Sequence, residues 1–255
     1  MVGGEEGTRD PDDPQQQAID AWQAGDMAAA RAAFELALQQ AHARGDQAGE
    51  AMCLHRLGSV ALRDGDLAGA FEHFEAARKL YRELEDGPGY AAALHQLGTI
   101  CLHRRDHDEA RRLSRAAMNV QHQVGDTKGV ARSLYQIAAS FMEESNFPEA
   151  AEGFRHAIKV MRGVEDFTGV ALALHNLGVM AERAGDLKAS FRFIAASAAV
   201  RAGTRQPEAE TALDQAREQA AKAGLDPAGF DAALEAAAED FLDDDGEALI
   251  SEAFG

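Results

Sequence analysis

Between Asp46 and Asp86 apolar and polar positions alternate with a helical period. Leu54, Leu57, Ala61 and Leu62 keep the three-and-four spacing of one buried helix face. Ala70, Phe74 and Ala77, continued by Leu80, Tyr81 and Leu84, mark a second face. Gly65-Asp66 separates the two, because glycine tolerates a left-handed stop and aspartate caps the amides that open the next helix. Asp46 and Glu85-Asp86 hold the outer ends. These residues predict a helical hairpin with two acidic caps.

The pattern returns every forty residues. Leu57-Gly58 recurs as Leu97-Gly98, Ile137-Ala138 and Leu177-Gly178, and Asp26 as Asp66, Asp106, Asn146 and Asp186. A second acidic series, Asp46, Asp86, Asp126 and Asp166, and a glycine series, Gly49, Gly89, Gly129 and Gly169, keep the same interval. Such units cannot bury an apolar face alone, so they stack into a solenoid. Mid-helix glycine costs roughly 1 kcal/mol relative to alanine. Its recurrence at Gly58, Gly98 and Gly178 therefore predicts close helix crossings, with Gly98 less tolerant of a side chain than Gly89. Ala70, Ala110 and Ala150, with Ala77, Ala117 and Ala157, play that part on the second helix, and Phe34, Phe74 and Phe154 fill the space between. Ser114 and Ile194 replace phenylalanine, so their layers should pack differently.

Leu57-Gly58, Ala70, Phe74 and Ala77 resemble the tetratricopeptide pattern, with twelve residues from Gly58 to Ala70 as in the standard repeat. The standard unit is about 34 residues, and the excess here falls after Ala77. Segments such as ALHQLGTICLHRRDHDEARRLSRAA are similar to the long-repeat arrays of bacterial signal-transduction ATPases and of animal Leu-Gly-Asn adaptor proteins. The resemblance implies an all-α fold, an α-solenoid of stacked helical hairpins wound as a right-handed superhelix. It covers residues 14–206 as five hairpins, the first with a shortened opening helix after Pro14. Residues 207–242 keep the register in outline and read as a degenerate sixth repeat acting as a cap. Residues 1–13 are expected to be a disordered acidic segment, and residues 243–255 an acidic flexible tail.

Charge sharpens this division. The net charge is −18, but residues 207–255 hold fourteen acidic residues against Arg217 and Lys222, and residues 1–13 hold five against Arg9. The repeats between are nearly neutral, without the basic footprint that nucleic acid or an anionic membrane requires. Hydrophobic residues make up 46% and aromatics only 6%, which suits closely packed alanine-rich helices. Cys53 and Cys101 suggest no disulfide framework. The acidic N-terminal residues lack the basic and apolar stretches of a leader, and no apolar run approaches the ~20 residues of a membrane helix. A cytoplasmic location follows as the expectation.

No phosphate-binding loop, GxSxG elbow or HExxH helix occurs, so no cofactor and no enzyme activity is expected. His103 and His107 have an i, i+4 interval, but Asp106 between them starts a new helix, and no metal site is expected. His55, His95, Tyr135 and His175 occupy one register position in four repeats. The resemblance places that side of each first helix on a concave groove. There the ladder could recognise carboxylates or peptide carbonyls and respond to pH near 6–7, or the rings could simply pack between helices. The same register offers Arg56, Gln96, Gln136 and Asn176 beside the ladder, and Met52, Ser59, Arg63, Thr99, His103, Arg132, Met142 and Arg183 as further lining. Leu172 and Glu182 fall on the same side.

The expected function is a non-enzymatic adaptor or scaffold that holds a peptide or helix of a partner protein in this groove. The alternative is a regulatory sensor, in which a small ligand or signalling peptide in the groove controls an effector. Neither reading involves nucleic acid or membrane, and a homo-oligomer stays open.

Overall fold

The computed structural model describes residues 14–244 and 246–254, and among them every regular element is helical. The acidic segment 1–13 lies outside the described residues. The chain divides into two compact units at Arg104. The first unit holds α1 (Pro14–Ala24), α2 (Met27–Arg44), α3 (Gln47–Arg63), α4 (Leu67–Glu83) and α5 (Gly87–His103). The second holds α6 (His107–Val124), α7 (Thr127–Glu143), α8 (Phe147–Gly163), α9 (Phe167–Ala184) and α10 (Leu187–Gly203). It ends with α11 (Ala209–Lys222), α12 (Phe230–Asp244) and α13 (Glu247–Phe254).

One turn design repeats throughout. A residue of positive φ recurs every twenty positions: Gly25, Gly45, Gly65, Glu85, Arg105, Gly125, Ser145, Glu165, Gly185 and Arg205. The amide of the next residue bonds back to a carbonyl five residues earlier, as Asp86 does to Tyr81 at 2.9 Å and Asp166 to Met161 at 2.8 Å. The aspartate then caps the following helix, Asp46 accepting from the Gly49 amide at 2.9 Å and Asp166 from that of Gly169 at 3.0 Å. Asn146 occupies the same place without a side-chain cap bond.

The glycine series is explained by this turn. A Cβ on Gly89 would lie 2.4 Å from the Tyr81 ring, one on Gly129 2.8 Å from Gln121, and one on Gly169 2.8 Å from Met161. The last turn of one helix thus tucks under the first turn of the next. Gly89, expected to tolerate a side chain better than Gly98, is itself a close contact.

In the first unit α1–α2 and α3–α4 are hairpins, and α5 packs on α4. Their core gathers Ala18, Ala30, Phe34, Leu57 and Val60 at one end, and Ala51, Ala77, Tyr81 and Ala93 at the other. In the second unit α7–α8 and α9–α10 are hairpins, and α6 packs on α7. Phe154, Leu174, Leu177 and Phe193 are completely buried there. The α6–α7 joint is notably polar. Ser114, in the phenylalanine position, donates to Gln136 Oε1 at 2.7 Å, and Ser133 donates to Gln121 Oε1 at 2.8 Å. Buried Arg111 is held by Asp108 and Glu144 and lies 4.6 Å over the Phe141 ring.

The C-terminal part departs from the expected register. Residues 207–242 do not close a sixth hairpin: α12 leaves α11 after a longer connection through Gly224 and a 3₁₀ turn at Pro227–Gly229, and both helices pack on α10. Ala212, Ala216 and Phe230 cover Phe191 and Ile194 there. Within residues 243–255, expected to be a flexible tail, lies α13. It buries Leu249 and Ile250 in the main core, stacks Phe254 on Phe193 at 6.0 Å, and pairs Glu247 with Arg155 and Glu252 with Arg192. Its two adjacent aliphatic residues, flanked by acids, form an amphipathic stripe too short to stand out from an acidic sequence.

Two stability outcomes follow. Gly185→Ala should cost about 1–2 kcal/mol through its left-handed φ, whereas Gly163→Ala, helical with open space around it, should gain up to about 1 kcal/mol. Equal urea midpoints for the two would show that the turns are unstrained. Removal of residues 246–255 should cost roughly 2–4 kcal/mol from the lost burial of Leu249 and Ile250. A midpoint unchanged by the truncation would mean that α13 does not dock.

Candidate functional site

The residues expected to form a binding face lie on the first helix of each hairpin, and the two units present them separately. In the first unit His55 is half-buried, edge-on to Phe74 at 5.1 Å and to Tyr81 at 6.4 Å. Burial first, and Arg56 second, lower its pKa to about 4. It is therefore a neutral packing ring, not a sensor near pH 6–7. Ser59 and Thr99 turn their hydroxyls back to the carbonyls of His55 and His95, at 3.1 and 3.2 Å. Met52, His95 and Gln96 are half-buried. Arg56, Arg63 and His103 are exposed, with the Arg63 guanidinium 5.5 Å above the Trp22 ring. Trp22 was not singled out by sequence, although it is the chain's one tryptophan.

In the second unit two expected groove residues turn inward. Gln136 is buried because Ser114 leaves the space of a phenylalanine and offers a hydroxyl to be satisfied. Met142, 7% exposed, fills the core beside Phe154, an adaptable thioether where the other repeats have Leu62, Leu102 and Glu182. The remaining candidates come together across α7 and α9. Tyr135 lies edge-on to Phe154 at 5.4 Å, and its hydroxyl accepts from Asn176 Nδ2 at 2.8 Å. Burial raises the Tyr135 pKa, so the phenol stays protonated at neutral pH. His175 is half-buried, its pKa lowered by burial and then by Arg201.

Around this bond the side chains are open. Leu172 (42% exposed), Asn176, Val179 and Arg183 recur at intervals of four, three and four, which draws one stripe along α9. Arg132, Ala139 and Glu143 draw the matching stripe on α7, Arg132 being exposed and 3.8 Å from Asp126. Glu182 joins α9 to α11 through Lys222 at 2.9 Å and Gln219 at 3.0 Å. Lys222 stands forty residues after Glu182, a cross-repeat pairing that the period contained. Among the described residues no group of three or more His, Cys, Asp or Glu could hold a metal, and no helix is long and apolar enough to cross a membrane.

Stacked hairpins joined by capped left-handed turns, displaying side-chain stripes on their first helices, define an α-solenoid of the repeat-protein class. The family model described as Tetratricopeptide repeat matches residues 15–83 and 50–123, and the same hairpin geometry continues to Gly203. Over residues 15–123 the chain is thus similar to the tetratricopeptide repeat family, and its fold is an α-solenoid of tetratricopeptide-like hairpins. No curated protein sequence matches it. Solved structures share the fold at low identity. Aspartyl phosphate phosphatase F from Bacillus subtilis is 12% identical with a TM-score of 0.73 over 94% of this chain and 61% of that one. The chain therefore spans about three fifths of that protein's length. RapI in its apo form is 12% identical with a TM-score of 0.68, over 94% and 93% of the two chains. A signal transduction ATPase with a tetratricopeptide repeat sensor from Pyrococcus horikoshii is 14% identical with a TM-score of 0.70, over 94% of this chain and 37% of that one.

His55 makes a pH signature. A histidine whose folded pKa lies below its unfolded value of about 6.5 contributes stability above pH 6.5 that is lost as pH falls toward 4. His55→Gln should flatten thermal stability between pH 6.5 and 4 relative to the parent chain. Parallel melting profiles for the two would show that this ring protonates freely in the fold.

Proposed function

We propose that the chain is a non-catalytic adaptor that holds a peptide segment or helix of a partner protein on the first-helix face of its second unit. Tetratricopeptide repeats are generally non-catalytic modules that bind other proteins or peptides. The observation that carries the reading is the paired stripe on α7 and α9, in which exposed Leu172 shares a face with the exposed guanidiniums of Arg132 and Arg183. The Tyr135–Asn176 bond fixes the spacing of the two helices at that point, so the face is preorganised. Its chemistry suits a segment that offers one apolar side chain flanked by acidic ones.

A second reading, a regulatory sensor whose ligand controls an effector, is favoured by the sensor role that the Pyrococcus protein's name gives its repeats. A stoichiometric protein partner supports the adaptor. A captured small molecule that alters the binding of another protein supports the sensor.

The test is affinity capture from an extract of the source organism, followed by calorimetric titration of the captured protein. Arg132→Ala with Leu172→Asp and Arg183→Ala should weaken binding by about thirtyfold or more, as a few central contacts carry most interface energy. The helical signal should be unchanged, because all three residues are exposed. Lys79→Ala with Lys159→Ala, on second helices, should bind normally. Retained binding by the triple variant would remove the first-helix face from consideration.

A further inference from the structure

A second surface emerges when the period is applied to α13. This helix lies against α8 and reaches across to α10. Leu174, Leu177 and Ala181 of α9, each no more than 1% exposed, belong to the same buried cluster as Leu249 and Ile250. Arg155 on one wall pairs with Glu247, Arg192 on the other with Glu252, and Phe193 stacks on Phe254.

Moved back by forty residues, this constellation becomes the groove between α6 and α8, floored by α7. Its floor is Leu134, Ile137 and Phe141, and its walls include Arg115, Glu152 and Gly153. It is an open groove of about 520 Å³. The three floor residues, buried in the next repeat, are here only half-buried. The groove is more apolar at its floor than its neighbour, since Phe141 stands where Ala181 does. It is also deeper at one wall, since Gly153 stands where Phe193 does.

The charges differ in a telling way. Arg115 repeats Arg155, but Glu152 replaces Arg192, and Glu149 stands one turn before it on the same wall. Glu152 already accepts from Arg155 of its own helix, yet Arg155 shares its charge with Glu247. The α8 wall therefore stays acidic where the α10 wall is basic. A second copy's α13 would bring Glu252 against that acidic wall and be repelled.

We propose that the α6–α8 groove docks an amphipathic helix of a partner protein, one that packs aliphatic and aromatic residues on Leu134, Ile137 and Phe141. That helix presents an acidic side chain to Arg115 and a basic one to Glu149 and Glu152. The site lies on the second-helix side of the unit and is independent of the face formed by Arg132, Leu172 and Arg183. The chain's own α13 supplies the template: the same fold, one repeat later, already binds a helix of this design.

The probes are two fluorescein-labelled, hydrocarbon-stapled peptides titrated into the whole chain by fluorescence anisotropy. One has the α13 sequence EALISEAF and the other carries Glu252→Lys. The lysine peptide should bind saturably below about 1 mM and at least about fivefold more tightly than the native one, the scale of an attraction replacing a repulsion at an exposed pair. Glu152→Arg in the chain should reverse that order while leaving the helical signal intact. A benzoylphenylalanine in place of the peptide's terminal phenylalanine should crosslink to α8 near Gly153 and His156, a readout that does not depend on any variant folding. The proposal is overturned by equal affinities, by preference for the native peptide, by absence of saturable binding, or by crosslinks elsewhere. Crosslinks to α10 near Phe193 would mean that the peptide merely displaces α13.

Discussion

From α2 to α10 each helix starts after one residue enters the left-handed region, and at eight of these turns the next residue is an aspartate that uses both its amide and its carboxylate at the junction. The amide returns to the carbonyl five residues earlier, closing the finished helix, and the carboxylate reaches three residues forward, opening the new one. Spacing these turns at twenty residues fixes helices of 17 or 18 residues from α2 to α10 and returns every side chain to the same face after two of them. Faces then stack on equivalent faces, which is why alanines, glycines and phenylalanines repeat in step. Five of the ten left-handed residues are not glycine. Each costs of order 1–2 kcal/mol and persists because the hydrogen bonds on both sides over-determine the turn.

That turn explains what could be read from the sequence. Caps, stops and small-residue series are local requirements set by backbone sterics and amide pairing, and they appear as residue identities at fixed offsets. The face on which a polar residue ends up is not local. Gln136 has the register of Arg56, Gln96 and Asn176, yet it turns inward because Ser114, twenty-two residues earlier, lacks a ring. Met142 turns inward because a flexible apolar chain takes whatever space the core leaves. The histidine positions were legible as a series, but not their burial: His55 is held between Phe74 and Tyr81 by the second helix of its own hairpin. Docking of α13 was invisible because it is tertiary, and its charges suggested only solvent.

At the α6–α7 joint the stacking rule is met largely by polar chemistry. Paired serine and glutamine side chains replace apolar filling, and Arg111 bridges to Glu144 and to the hydroxyl of Ser140. Such a joint gains less from burial than an alanine–phenylalanine layer, because each hydrogen bond nets only about 1 kcal/mol against water. It is more exacting in register, since a shift of one residue would leave several buried groups unsatisfied. The joint therefore favours one alignment of α6 on α7. It thereby sets the width of the groove that α6 and α8 form over α7.

Charge bookkeeping on a capped array changes how a net of −18 should be understood. Eight aspartates, from Asp26 to Asp186, accept from backbone amides at helix starts. There the positive end of each helix dipole offsets them. Glu144 and Glu182 are engaged by Arg111 and Lys222. Many of the acids within the repeats are thus tied up by helix caps and ion pairs. The guanidiniums of Arg132 and Arg183 stand exposed on their stripes, so the first-helix face of the second unit can attract acidic groups although the chain as a whole is strongly acidic. The wall carrying Glu149 and Glu152 points the other way. Two surfaces of one unit thereby acquire opposite preferences from a single forty-residue pattern, through substitutions at positions that the turns and caps leave free.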